Sequence, residues 1–193
     1  MAEVDAQVID RLRGGDPAAF DQVYRRYTPG LYAFLARLAR RAAIAEELLQ
    51  ETWLRLATHA RALPADVNLA AWLYTVARNL YRSHRRWRLV DVGRLRIWRD
   101  FRQARADDAA SPYDDAAARE TGLRVEQAVD ALPIDQREML LLVAVEGFSP
   151  ADAAAIAGIR PEAARQRLAR ARARVARALE TGFGIREPTG ETP

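Results

Sequence analysis

The stretch "SPADAAAIAGIRPEAARQRLARARARVAR", residues 149–177, has the spacing of two helices joined by a tight turn. Ser149 suits an N-cap, Pro150 the first helical position, and Gly158 the residue that ends a helix. Ile159 and Arg160 then lead to Pro161, which opens a second helix. A short helix, a turn and a longer helix at this spacing make a helix-turn-helix. Between Arg160 and Arg177 the second helix gathers seven arginines against one acid, Glu162. Taken alone, so basic a helix is most simply a solvated face. The helix and turn ahead of it favour a helix laid against DNA.

The faces of that helix sort by period. Ala164, Leu168, Ala171, Val175 and Leu179 fall on one stripe and are expected to pack inward. Arg165, Gln166, Ala169 and Arg170 fall on another. Arginine can bond guanine in the major groove, glutamine can read adenine, and alanine lets the helix sit deep or touch a thymine methyl. Arg167, Arg172 and Arg174 flank this face, and Arg160 stands in the turn before it. Such flanking cations are placed to hold phosphates.

Outward from this motif, helix signals dominate and strand signals are almost absent, so the expected fold is all-α. Asp16 and Pro17 open a helix burying Phe20, Val23, Tyr24 and Tyr27. A second helix is expected from about Pro29, with Leu31, Phe34, Leu35 and Leu38. A third runs over about 42 to 60, where Ala45, Leu48, Leu49, Thr52 and Leu56 form one stripe. A fourth covers about 69 to 89 on Leu69, Leu73, Val76, Ala77 and Leu80. Beyond residue 120, helices are expected over about 120 to 131 and 134 to 146, then the two of the helix-turn-helix.

Charge divides the chain between these sets. Residues 78–105 hold ten arginines and two aspartates, a net +8, whereas residues 106–130 hold seven acids and two arginines, a net −5. "ADDAASPYDD" has no apolar stripe and contains Pro112. The organisation that follows is two small helical domains joined by a polar linker: an N-terminal domain over 8–90, a flexible linker over 91–119, a C-terminal helix-turn-helix domain over 120–181 and a tail over 182–193. Trp98 and Phe101, inside the linker, are expected to form a short helix or to dock on another surface.

Two helices of the N-terminal half carry polar patterns of their own. In "AEELLQETWLRL", Glu46, Glu47, Gln50 and Glu51 lie on one side of a helix, suited to docking on a basic helical partner or simply to solvent. In "AAWLYTVARNLYRSHRR", Arg78, Arg82, Arg85 and Arg86 stand at i, i+4, i+7 and i+8, interleaved with Trp72, Tyr74, Tyr81 and Trp87. Cations with aromatics are what unpaired DNA requires, since stacking on an aromatic ring contributes ~1–3 kcal/mol per base. Trp72 also fits the core.

Together these motifs resemble the extracytoplasmic-function (ECF) sigma factors of bacterial RNA polymerase. "LPIDQREMLLLVAVEGFSPADAAAIAGIRPEAARQRLARAR" resembles their promoter-binding C-terminal domain without a gap. "GDPAAFDQVYRRYTPGLY", "AEELLQETWLRL" and "AAWLYTVARNLYRSHRR" resemble the opening helix, the polymerase-docking motif and the −10 helix of their other domain. The likeness spans about residues 10–90 and 120–180. It implies that Glu46, Glu47, Gln50 and Glu51 dock on core RNA polymerase, and that Trp72, Arg78, Asn79, Arg82, Arg85 and Arg86 open and hold the −10 element. Asn79 and the loop near Leu63 to Asn68 would hold a flipped base. Arg160, Arg165, Gln166, Arg167, Ala169, Arg170 and Arg172 would engage the −35 element. An anti-sigma protein is a further partner that the resemblance implies. The chain departs from the family where Ala163-Ala164 replaces the usual Thr-Val, Ser83 an Asp, and Asp152-Ala153 a Glu-Ile; these bear on promoter sequence and affinity.

Other classes fit less well. The net charge is +4, all 30 basic residues are Arg, and there is no cysteine, which excludes disulfides and thiolate chemistry. His59 and His84 stand alone, and no Walker, G-x-S-x-G or H-E-x-x-H motif occurs. No enzyme activity, metal or cofactor is therefore expected. The N-terminal "MAEVDAQVID" lacks a signal-peptide core and no apolar run reaches the length of a membrane span, so a cytoplasmic location without membrane insertion is expected. A helix-turn-helix repressor would leave the N-terminal motifs unused. A sigma mimic that binds an anti-sigma protein would leave the arginine face unused.

Overall fold

The computed structural model describes residues 6–92 and 116–183, with side-chain surroundings over 6–87 and 120–180. The described residues form helices and turns, with no strand. Most of the linker expected over 91–119 and of the tail over 182–193 lies outside them, as do Trp98 and Phe101.

The first helix, α1 (Ala6–Arg13), lies ahead of the first helix expected from the sequence and buries Val8, Ile9 and Leu12. Helix α2 (Pro17–Ala39) starts as its sequence dictates: Asp16 Oδ1 accepts the Ala18 N–H at 2.9 Å and Pro17 takes the first turn. Arg11 and Ala18 together hold the Asp16 carboxyl below its ordinary range. The helix does not restart at Pro29 but runs through it. An internal proline costs about 3 kcal/mol through its missing N–H and ring clash. Val23, Tyr27, Leu31, Phe34, Leu35 and Leu38, from both sides of the proline, bury on one core. Burial contributes about 1.5–3 kcal/mol for each large apolar side chain, so an uninterrupted helix wins. Tyr24, expected inside, is 41% exposed.

Helix α3 (Ala42–His59) buries Ala45, Leu48, Thr52, Trp53 and Leu56. A 3-10 turn over Ala60–Ala62 and a short loop lead to α4 (Leu69–Val92). Asn68 caps α4, its Oδ1 accepting the Ala71 N–H at 2.9 Å. In the second half, α5 (Ala116–Asp130) is followed by α6 (Ile134–Leu140), which widens into a π turn over Leu141–Val145. The single helix expected over 134–146 thus changes its bonding half-way: the Glu146 N–H reaches back to the Leu141 carbonyl at 3.0 Å. Helices α7 (Pro150–Ala157) and α8 (Pro161–Phe183) complete the described residues.

The two helical sets meet in one core. Phe34 and Tyr74 from the first half, and Met139, Leu142 and Phe148 from the second, belong to the same buried cluster. Tyr74 joins them edge to face, its ring centroid 5.3 Å from Phe34 and 5.0 Å from Phe148. Among the described residues no helix is long and apolar enough to cross a membrane.

Candidate polymerase and nucleic-acid interfaces

The helix-turn-helix forms from the signals that announce it. Ser149 Oγ accepts the Asp152 N–H at 3.1 Å, Pro150 takes the first turn, and Gly158 closes α7 with φ +63°. On α8, Ala164, Leu168 and Ala171 are buried, and Val175 and Leu179 are half-buried. Arg165, Gln166, Ala169, Arg170 and Arg172 are exposed on the other side, and Arg160 is exposed in the turn. Arg165 pairs with Glu162 at 2.9 Å across one helical turn. Arg167 is half-buried and turned towards α6, 3.6 Å from Asp135. The structure therefore presents most of the expected −35 residues together, with Arg167 at the edge.

On α3, Glu46, Glu47 and Gln50 are exposed and Glu51 is half-buried, bonded to Arg55 at 3.1 Å. Leu54 shares that side and is 57% exposed. Its spacing of seven, four and three residues from Glu47, Gln50 and Glu51 puts it on the acidic face rather than the core stripe. That spacing is the signal by which the sequence could have revealed it. The result is a carboxylate-rimmed patch with an apolar centre, suited to a basic helical partner.

Helix α4 is divided along its length. Asn79, Arg85 and Arg86 are exposed, and Trp87 is 73% exposed. Tyr74 and Tyr81 are core residues, unavailable for base stacking. Trp72 is half-buried against the core. Arg78 is only 4% exposed and donates its Nε–H to Glu138 of α6 at 3.0 Å. Arg82 donates to both carboxylate oxygens of Glu138, the closest at 2.8 Å, and to Asp135. Burial pulls the Arg78 guanidinium below its ordinary pKa against the attraction of Glu138, whereas hydrogen bonding to Glu138 pushes Arg82 upward. Nearby, Tyr74 donates its hydroxyl proton to Glu146. Burial raises the pKa of both groups.

The chain aligns with known proteins over both halves. Residues 23–88 match Sigma-70 region 2, and residues 122–175 match Sigma-70, region 4. It is 31% identical over 185 residues to the ECF RNA polymerase sigma factor SigM of Mycobacterium tuberculosis, covering 94% of this chain and 89% of that protein. The chain belongs to the ECF RNA polymerase sigma factor family. A second member, EcfG of Rhodopseudomonas palustris, is 37% identical over 158 residues, 78% of this chain and 80% of that one. Among solved structures it resembles the sigma factor RpoE of Bartonella quintana, crystallised with the anti-sigma factor NepR, at 29% identity and a TM-score of 0.68, covering 83% of this chain and 96% of that one.

In this sigma factor the region 2 match holds α3 and most of α4, and the region 4 match holds the helix-turn-helix. What the sequence did not reveal is that Asp135 and Glu138, on α6 within the region 4 match, face Arg78 and Arg82 of the region 2 match. Residues 56 and 60 apart along the chain carry no local signal of pairing.

Proposed function

We propose that this protein directs core RNA polymerase to specific promoters from within the cytoplasm, through binding alone and without bond-making chemistry of its own. The observation that supports this best is the presence, in one chain of the ECF family, of an exposed acidic docking face on α3 and an exposed arginine face on α8. Glu46, Glu47, Gln50 and Glu51, with Leu54 between them, dock on a basic surface of the polymerase. Arg78, Asn79, Arg82, Arg85 and Arg86 on α4 engage the −10 element once it opens, with Trp87 available for stacking. Arg165, Gln166 and Arg170 read base edges of the −35 element, while Arg160, Arg167 and Arg172 hold phosphates and Ala169 permits close approach. An anti-sigma protein is a further partner, as for the Bartonella quintana relative.

The test mixes purified protein with core polymerase stripped of sigma factors and assays co-elution and run-off transcription from the DNA upstream of its own gene. Co-elution with a defined transcript is expected. Failure to co-elute, with tight binding to duplex DNA, would overturn the reading in favour of a stand-alone regulator.

A further inference from the structure

The loop over residues 63–68, expected to hold a flipped base, shows Pro64, Ala65, Asp66 and Asn68 to solvent between two buried anchors, Leu63 and Leu69. Its backbone is supported by the Leu63 N–H on the Ala60 carbonyl at 3.2 Å and the Val67 N–H on the Pro64 carbonyl at 3.3 Å. The first of these ties it to the 3-10 turn Ala60–Ala62 from which it springs. That turn rests on α1. Val8 and Leu12 of α1 share one buried cluster with Ala60 and Leu63. Isolated helices shorter than about 12–15 residues are marginal in water, so the short α1 stands where its contacts put it. Asp16 supplies a clamp. Its Oδ1 caps α2 through the Ala18 N–H, and its Oδ2 accepts from Arg11 at 2.7 Å. One carboxylate thus fixes the start of α2 and the last turn of α1 together. Gly15, at φ +81°, carries the chain between the two helices past the 3-10 turn: a Cβ there would lie 3.7 Å from Arg61 Nη2.

We propose that α1 is a positioning element for base selection: through Val8 and Leu12, and clamped by Arg11 on Asp16, it fixes the turn that aims the loop, and so narrows which base the loop accepts. The proposal rests on the assignment of the loop to the −10 element. A flipped base is read by hydrogen bonds to its Watson–Crick edge, and such bonds weaken steeply once donor and acceptor are misaligned. A loop free to shift accepts wrong bases nearly as well as the right one. In this scheme α1 touches no base and acts only through the loop. Selection is a ratio between bases. Partial unfolding lowers the yield on every sequence alike and leaves that ratio unchanged, so selectivity separates positioning from stability.

In the test, core polymerase saturated with the full chain transcribes a pool of duplexes randomised upstream of a common transcribed segment. Sequencing the transcribed templates gives the base preference at each position. Leu12→Ala opens a cavity beneath the turn, and Val8→Ala, a smaller deletion in the same contact, takes its place should Leu12→Ala not fold. Arg11→Gln releases the clamp, and Arg11→Lys keeps its charge. Arg25→Gln, at an exposed site on α2, matches the charge change of Arg11→Gln. Asp66→Ala, in the loop itself, marks the position that the loop serves. The expected result is that Asp66→Ala and Leu12→Ala lower the preference at the same single −10 position, by about fivefold or more for Leu12→Ala, with the −35 positions as in wild type. Arg11→Gln shifts that position in the same direction by less, whereas Arg11→Lys and Arg25→Gln leave it unchanged. Suppose instead that Leu12→Ala weakens all positions alike, alters a position other than the one Asp66→Ala marks, or alters none. Each of these would overturn the role of α1 and leave the loop assignment standing. No position altered by Asp66→Ala would overturn the proposal through failure of the loop assignment.

Discussion

At the scale of single residues, position on a helix decides what an arginine is for. Arg170 and Arg172 are two residues apart, both exposed on α8, yet they point to different faces. Arg170→Ala is expected to relax preference at one −35 position, where a bidentate arginine–guanine pair contributes about 1–3 kcal/mol of discrimination. Arg172→Ala is expected to weaken all duplexes alike and to flatten the salt dependence by the equivalent of about one phosphate contact. Titrations against matched and single-mismatch duplexes at several salt concentrations separate the two, and equal loss of selectivity from both would undo the face assignment. Glu146 makes a different point. Burial raises its pKa above the ordinary glutamate value, so the folded protein holds that proton more tightly than the unfolded chain does. The stability this contributes is complete below the ordinary glutamate range and is lost as pH rises through the raised value. Glu146→Gln keeps an acceptor for the Tyr74 hydroxyl and removes the titration. Its stability relative to wild type should therefore improve as pH rises from the acidic side to neutrality, read by urea unfolding at each pH.

At the scale of elements, most helix boundaries follow from local chemistry. Ser149→Ala removes the oxygen that caps Asp152 N–H and is expected to cost about 1 kcal/mol. Gly158 has φ +63°, and a Cβ there would meet nothing within 4 Å, so Gly158→Ala should cost about 1–2 kcal/mol from backbone conformation alone. Thermal unfolding of the two variants tests this, and a neutral Gly158→Ala would deny the turn its glycine requirement. Arg137 closes α5 from a distance: its guanidinium donates to the carbonyls of Val129 at 3.2 Å, Leu132 at 3.1 Å and Asp130. Burial lowers its pKa, yet it also answers the negative end of the α5 dipole. Arg137→Ala is expected to lose about 2–3 kcal/mol, because those carbonyls would stay buried without donors. The elements that sequence reasoning missed are those whose signals were weak or contradictory. The helix α1 is short, and Pro29 argues locally for a break that its buried neighbours override.

At the scale of the whole molecule, one core joins the two halves. A shared core predicts one cooperative unfolding transition. All four tryptophans lie within the first 98 residues, so their fluorescence follows the N-terminal half while far-ultraviolet dichroism follows both. The two signals should give coincident midpoints in the wild-type protein and separate midpoints in Asp135→Asn/Glu138→Gln. Divergent midpoints in the wild type would mean that the halves unfold independently.

The division between sequence and structure has a physical basis. The all-α class, the helix-turn-helix, the acidic face of α3 and the arginine face of α8 were legible because each depends on residues within one or two helical turns: caps, glycine stops, and apolar stripes at a 3.6-residue period. The stripe Ala164, Leu168 and Ala171 left Arg165, Gln166 and Arg170 no side but the outer one. The stripe Arg78, Arg82, Arg85 and Arg86 was equally visible, but its division was not. Whether an arginine meets solvent, DNA or a carboxylate depends on what packs against its helix, and Asp135 and Glu138 arrive from the far side of the linker. Periodicity along a chain specifies which residues share a face. Only the tertiary structure decides that Arg78 and Arg82 face two acids while Arg85, Arg86 and Trp87 face outward, because burying a charge requires a partner and that partner comes from another element.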